Sequence, residues 1–208
     1  METQKNFIGL KQIVIIVLLS VLTIVVSMVT GIPFMTSPKW SVLGGYSLAA
    51  LINGMIYVLI ITKSPMRGTN LLFFGVKALY VLVMGQIPTV IVYLIGAIIC
   101  EGITWNDGYK KPLIAGISYT VHNVIFSIGT FTPIFINPTS YGEQMTAQMA
   151  EYGMDAESIE VMVNAMIYDL VAPGFVLLAS AMIAIASVIG MFIGVKMMKK
   201  HFKPAGVA

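Results

Sequence analysis

Charge is what this sequence has least of. Only 10% of its 208 residues are charged and 58% are hydrophobic, with a mean hydropathy of +0.91. About a quarter of an ordinary soluble domain is charged, so the chain reads as a polytopic membrane protein. Cysteine is nearly absent. The single Cys100 lies in an apolar run, can form no internal disulfide, and reads as a small buried hydrophobe. Histidine is limited to His122 and to His201 in the basic tail, too few N or S ligands for a zinc site. No G-x-x-x-x-G-K-[ST], H-E-x-x-H or C-x-x-C occurs, so the chain carries no P-loop, zincin or thioredoxin-type motif of its own. No metal or cofactor is expected. Ser118 and His122 are four apart and share a helix face, but with no orienting carboxylate they make a weak hydrolase pair.

What is present is a series of apolar runs. A helix needs about 20 apolar residues to cross a bilayer, and six candidates appear, at 13–32, 43–61, 70–86, 89–103, 113–131 and 170–196. The first is too long for a signal-peptide core and no A-x-A site follows it, so it reads as an uncleaved span. Pro33, Pro38, Pro65, Pro88, Pro112 and Pro133 fall at or near the proposed ends, as helix punctuation does. The fold expected is a single all-α membrane domain of six transmembrane helices, 1–208.

Basic residues give the direction. With six crossings, Lys5, Lys11, Lys63, Arg67, Lys110, Lys111, Lys196, Lys199, Lys200 and Lys203 share one side, and only Lys39 lies in an opposite loop. The positive-inside rule puts both termini in the cytoplasm. The long outer connection, 132–169, has no Lys or Arg but carries Glu143, Glu151, Asp155, Glu157, Glu160 and Asp169. Ser140 with Glu143 fits a capping box, Gly153 a helix stop and Asp155 a new N-cap. Two short amphipathic helices are expected, over 141–152 and 156–168, with Met145, Met149, Ile159, Met162 and Met166 on their apolar faces. They serve either as a cap on the bundle or as a lid over an outward site, since loops this long usually have a role.

Polar residues inside a membrane usually face a bundle interior or a cavity. Here they are Asn53, Lys77, Tyr80, Tyr93 and the stripe Ser118, Tyr119, His122, Asn123, Ser127 within "SYTVHNVIFS". The stripe either bonds neighbouring helices or lines a cavity. Trp40, Tyr46, Gln86, Thr130, Tyr168 and Asp169 gather at the outer end, as an aromatic belt or as a pocket for a flat heterocycle. Glu101 and Asp107 read as local charge partners of Lys110 and Lys111. A lysine at bilayer depth costs about 2.5–3.5 kcal/mol on insertion scales. Lys77 lies about 10 Å from the cytoplasmic end of its span, within reach of snorkelling. Ligand contact and partner contact are its alternative roles. Thr23, Ser27 and Gly31 in span one, and Ala186, Gly190 and Gly194 in span six, fit close helix packing, within the bundle or against another subunit.

In length, span count, long outer connection and lack of an ATPase motif, the whole chain resembles the substrate-binding S component of an energy-coupling factor (ECF) transporter, and most of all the Trep_Strep or MptD-like type. That resemblance implies capture of a small vitamin-like ligand at the outer face. It also implies partnership with a membrane coupling subunit and two cytoplasmic ATPases, and toppling of the S component in the bilayer during uptake. The substrate-binding residues expected are Trp40, Tyr80, Met84, Gln86, Tyr93, Tyr119, His122, Asn123 and Asp169. Family members often meet the coupling subunit through A-x-x-x-A on helix one. Span one has no alanine, and Thr23, Ser27 and Gly31 are the nearest match. The rival expectation is a small ion-coupled carrier or channel, with an intramembrane enzyme behind it. No nucleic-acid partner is expected.

Overall fold

The structure is a computed structural model that describes residues 8–202. Lys5 and Lys203, which entered the charge argument, lie outside the described residues. Among those described there is no β-strand. Five helices are long and apolar enough to cross a membrane: α1 (Leu10–Gly31), α2 (Pro38–Lys63), α4 (Ile87–Thr104), α5 (Pro112–Ile136) and α8 (Pro173–Met197). A further apolar helix, α3 (Thr69–Val83), has only 15 residues, about 22 Å of helix. Two shorter helices, α6 (Pro138–Glu151) and α7 (Ala156–Asn164), fill the connection before α8.

The elements obey their local chemistry. Gly153 takes φ +77 at the α6–α7 junction, a conformation that favours glycine. Asp155 caps α7 by accepting the Ser158 backbone N–H at 2.9 Å. At the start of α6 the cap is Asn137, which accepts from Ser140 N–H at 3.0 Å, rather than the expected Ser140–Glu143 box. The proline at 138 starts the helix three residues earlier than that box requires, and Pro is favoured at such a first position. α7 is shorter than the predicted 156–168, passing at Ala165–Asp169 into a π-helical turn.

Pro133 does not end the fifth span. The helix continues to Ile136 with Pro133 inside it. A proline within a helix leaves the carbonyl four residues back without its N–H partner, here that of Gly129. The Thr89 hydroxyl of α4 donates to this oxygen at 3.3 Å, so a neighbouring helix supplies the missing bond. The second span also starts earlier than predicted. It opens at Pro38 and contains a π-helical stretch, Ser41–Tyr46, before regular α-helix resumes at Ser47. The sixth starts later, at Pro173, leaving Asp169 and Leu170 in the preceding turn.

The core of the bundle is aromatic. Tyr57, Phe73, Phe74 and Tyr119 are fully buried, and Tyr57 stacks on Tyr119 at 4.9 Å. α2 and α8 pack nearly backbone to backbone. A Cβ on Gly190 would run into the Leu51 carbonyl group, and one on Gly194 would lie 2.9 Å from Met55 Cα. The glycine motif of span six is therefore spent inside the bundle.

The two ends of the bundle differ in charge. Lys63, Arg67, Lys110, Lys111 and Lys196 gather at one end, while Glu143, Glu151, Asp155, Glu157 and Glu160 lie on α6 and α7 at the other. The basic end is closed by a buried polar network. Asn70 accepts from the Tyr57 hydroxyl at 2.6 Å and donates to Cys100 O, Thr104 Oγ1 and Ser118 Oγ. Glu101, 3% exposed, receives Gly68 N–H at 2.6 Å, Tyr109 O–H at 2.5 Å and Leu71 N–H at 3.4 Å. Donors thus reach both of its oxygens. It caps α3 from across the bundle, because Gly68 at the N-cap has no side chain to do so and helix N-termini favour negative charge. Glu101 is thus no ion-pair partner of Lys110 or Lys111. Asp107 is one, 2.8 Å from Lys110, and this lysine holds the Asp107 carboxyl below its usual range.

Candidate functional site

A cavity of about 360 Å³ occupies the half of the bundle nearest α6 and α7. This lies within the size range of small-molecule sites, about 300–1,000 Å³. All six apolar helices contribute to it. α1 brings Ile24 and Ser27, α2 brings Tyr46, Ala50 and Asn53, and α3 brings Lys77 and Tyr80, with Met84 just after its end. Gln86 enters from the turn after α3, Thr89 and Tyr93 from α4, and His122, Asn123, Phe126 and Thr130 from α5. Ile183 of α8 closes one wall. Gln144, Met145 and Gln148, one turn of α6, complete the lining at the acidic end.

One wall is aromatic. Phe126 lies 5.5 Å from Tyr46 and 4.8 Å from Tyr93 between ring centroids. Tyr93 in turn is tilted 59° against His122, which stacks on Phe74 at 3.3 Å. Other lining groups are polar and unusually free. Asn53 donates its amide to Thr23 O at 3.2 Å and Ser27 Oγ at 2.9 Å. Because a carbonyl only accepts, Nδ2 must face Thr23 and Oδ1 the other way. Asn53 Oδ1 and both His122 ring nitrogens have no hydrogen-bond partner among the described residues, although Asn53 and His122 are 3% and 1% exposed. Such groups are normally satisfied, and both side chains belong to the cavity lining.

Lys77 is the one charged residue in the lining. It leans back a turn toward the start of α3, as a snorkelling side chain does, and stays partly exposed. Its Nζ lies 4.6 Å from the ring centroid of Phe73, itself fully buried. The ion pairs among the described residues are Lys39–Asp169 and Lys110–Asp107, so no carboxylate pairs with it there.

Of the residues expected from sequence, Tyr80, Met84, Gln86, Tyr93, His122 and Asn123 come together around this cavity. Trp40, Tyr119 and Asp169 do not. Trp40 sits in the first turn of α2, 61% exposed, where a belt residue stands. Tyr119 is fully buried beneath the cavity and donates its hydroxyl to Ala50 O at 2.8 Å. Asp169 precedes α8 and pairs with Lys39 at 2.8 Å. The polar stripe of α5 thus serves two purposes, since Ser118 and Tyr119 bond other helices while His122 and Asn123 face the cavity. Ser118 gives its hydroxyl to Cys100 O and makes no bond to His122, so the pair noted in sequence is not assembled.

Of Thr23, Ser27 and Gly31, Thr23 is buried, Gly31 half-buried and Ser27 exposed. Thr23 O and Ser27 Oγ receive the Asn53 amide, and Gly31 backs onto Gly45 of α2. Thr23 O and the Ser27 hydroxyl are thus engaged within the chain, while Ser27 stays exposed and a side chain at Gly31 would meet open space. Sequence reasoning left Asn53, Thr89, Gln144 and Gln148 out of the site and set Lys77 beside it. A signal existed for two groups of them: Tyr46, Ala50 and Asn53 share one helical stripe, as do Gln144, Met145 and Gln148.

Residues 10–203 match the family described as hypothetical bacterial integral membrane protein (Trep_Strep). The chain belongs to this family. No curated protein and no solved structure matches the Trep_Strep chain. For a Trep_Strep protein, an integral membrane location agrees with the apolar helices seen here, and the exposed Leu18, Val25, Ile98, Leu177 and Phe192 on their outer faces suit contact with lipid.

Proposed function

We propose that this Trep_Strep protein is the substrate-binding S component of an ECF-type importer, a subunit and not an enzyme. In this reading the basic end faces the cytoplasm, as the positive-inside rule requires, with both termini on that side of the cell membrane. The cavity then opens outward beneath α6, which acts as a lid. The observation that carries the reading is the cavity itself, a space of ligand size with unpartnered polar groups on rigid helices. A chain with no P-loop cannot drive uptake alone, so a membrane coupling subunit and two cytoplasmic ATPases supply the energy. An ion-coupled carrier would be expected to place an acidic residue along its path. The cavity lining has none, and Glu101 is committed to capping α3 at the other end.

The test is co-expression with an ECF coupling subunit and its two ATPases, followed by size-exclusion chromatography in detergent. A four-subunit complex is the expected result, and a chain that elutes alone overturns the assignment. Gln86→Ala and His122→Ala are expected to weaken retention of the co-purified ligand. Trp40→Ala is expected to leave it unchanged, because Trp40 lies outside the cavity.

A further inference from the structure

We propose that the cavity takes a planar heteroaromatic monocarboxylate, with its carboxylate on Lys77 and a ring N–H or amino group on Asn53 Oδ1. The inference rests on the reading of this cavity as a ligand site and specifies what it reads.

The charge balance sets the anion. Lys77 is the one charged side chain in the lining, and its Nζ rests over the Phe73 ring. A cation on a cavity wall otherwise made of neutral groups attracts a counter-charge, and the ion pairs of the described residues lie elsewhere. One ammonium matches one carboxylate. A phosphate, with a charge of about −1.5 to −2 near neutral pH, would remain undercompensated among otherwise neutral amides and phenols. The shape of the wall sets the ring. Tyr46, Phe126 and Tyr93 form a continuous aromatic surface, and aromatic partners prefer flat or edge-on neighbours. Asn53 sets the donor. Its amide nitrogen is fixed by two acceptors on α1, so the oxygen that remains can be met only by a donor. Neutral His122 offers one donor and one acceptor, which suits a ring bearing both kinds of nitrogen.

The experiment uses the full chain in phosphatidylcholine nanodiscs. The probes are pyridine-, pyrimidine- and pteridine-carboxylic acids, each paired with its primary amide, and thermal stabilisation and affinity are read for each. At least one acid is expected to bind about tenfold or more tightly than its amide, the value of a hydrogen bond to a charged group. Lys77→Met is expected to erase that preference, and Lys77→Arg to keep part of it. Asn53→Asp is expected to spare the acid-over-amide ratio less than Asn123→Ala does, because it adds a second negative charge beside the ligand. Both Lys77 variants are first compared with wild type by unfolding without ligand, so a folding defect is seen as such. Amides that bind as tightly as acids overturn the carboxylate assignment while leaving the site a ligand site. Stabilisation by phosphatidylglycerol nanodiscs alone, lost in Lys77→Met, assigns the ammonium to a lipid headgroup and overturns a free carboxylate. If no acid shifts the protein the proposal fails. If, in addition, no small molecule is released from heat-denatured wild-type protein, the ligand-site reading fails with it.

Discussion

Glu101→Gln tests how the basic end is held. The wild-type carboxylate serves three donors: Gly68 N–H, Tyr109 O–H and the longer contact from Leu71 N–H. The amide keeps a single oxygen, so its NH2 must face a donor on the other side. Gly68 and Leu71 are backbone groups at the start of α3 and cannot turn away. Tyr109 already accepts from Asn70 N–H at 3.0 Å, so a rotated hydroxyl breaks a second bond. Hydrogen bonds to charged groups contribute about 1.5–3 kcal/mol each, and a stranded buried donor costs about 1–3 kcal/mol. Losing one strong bond and stranding one donor comes to about 3 kcal/mol of stability. Equilibrium unfolding in mixed micelles measures it. Tyr109→Phe removes a single donor and should cost less, and the double mutant should cost less than the two singles together, since both act on the same bond. A Glu101→Gln protein within about 0.5 kcal/mol of wild type, the range of ordinary surface changes, would refute the capping role. The folded fraction should retain wild-type ligand affinity, because the cavity lies at the other end.

Other expectations follow the same logic. Gly190→Ala should destabilise by about 1–3 kcal/mol, as overpacking does, despite alanine's better helix propensity. A chemical unfolding midpoint at or above wild type would show that α2 and α8 are not in backbone contact. Thr89→Val should cost about 1 kcal/mol, and combining it with Pro133→Ala, which restores the Gly129 bond within α5, should recover most of the loss in the same unfolding assay. The Asp155 carboxyl is held below its usual range, first by the Ser158 backbone N–H. A depressed acid contributes fully above its unfolded value near ~3.9 and loses that contribution as pH falls below it, so hydrogen exchange at the start of α7 should quicken below about pH 4 and be level above it.

Sequence legibility followed the range of the forces involved. The apolar runs and the segregation of lysines are properties of long windows, and they located every long helix to within a few residues. Asp155 and Gly153 were readable because caps and stops are local. Most of the failures are contacts across helices. Pro133 looked like an end because the carbonyl it frees is satisfied by Thr89, 44 positions away in the chain. Ser140 with Glu143 looked like a cap, although Asn137 and Pro138, an equally local cap and first-turn pair, begin α6 first. Tyr119 and His122 share a stripe in sequence, yet one ends under the cavity and the other on its wall. Which of them meets Ala50 and which meets open space depends on the crossing of α2 and α5. Lys77 was assigned by depth alone, and depth does not reveal a buried Phe73 ring one turn away.

The shortness of α3 has a mechanical consequence. Its outward side chains Leu71, Leu79, Leu82 and Val83 are exposed, yet the helix spans about 22 Å against a hydrocarbon core of about 30 Å. Along this one flank the surrounding film must thin or the whole body must lean, at a cost of fractions of a kcal/mol per ångström. The longer helices on the opposite flank, such as the 25-residue α8, impose no such strain. An elastic sheet gripped unevenly in this way exerts a torque on what it holds. The protein is therefore expected to tilt in its bilayer by an angle that changes with lipid thickness.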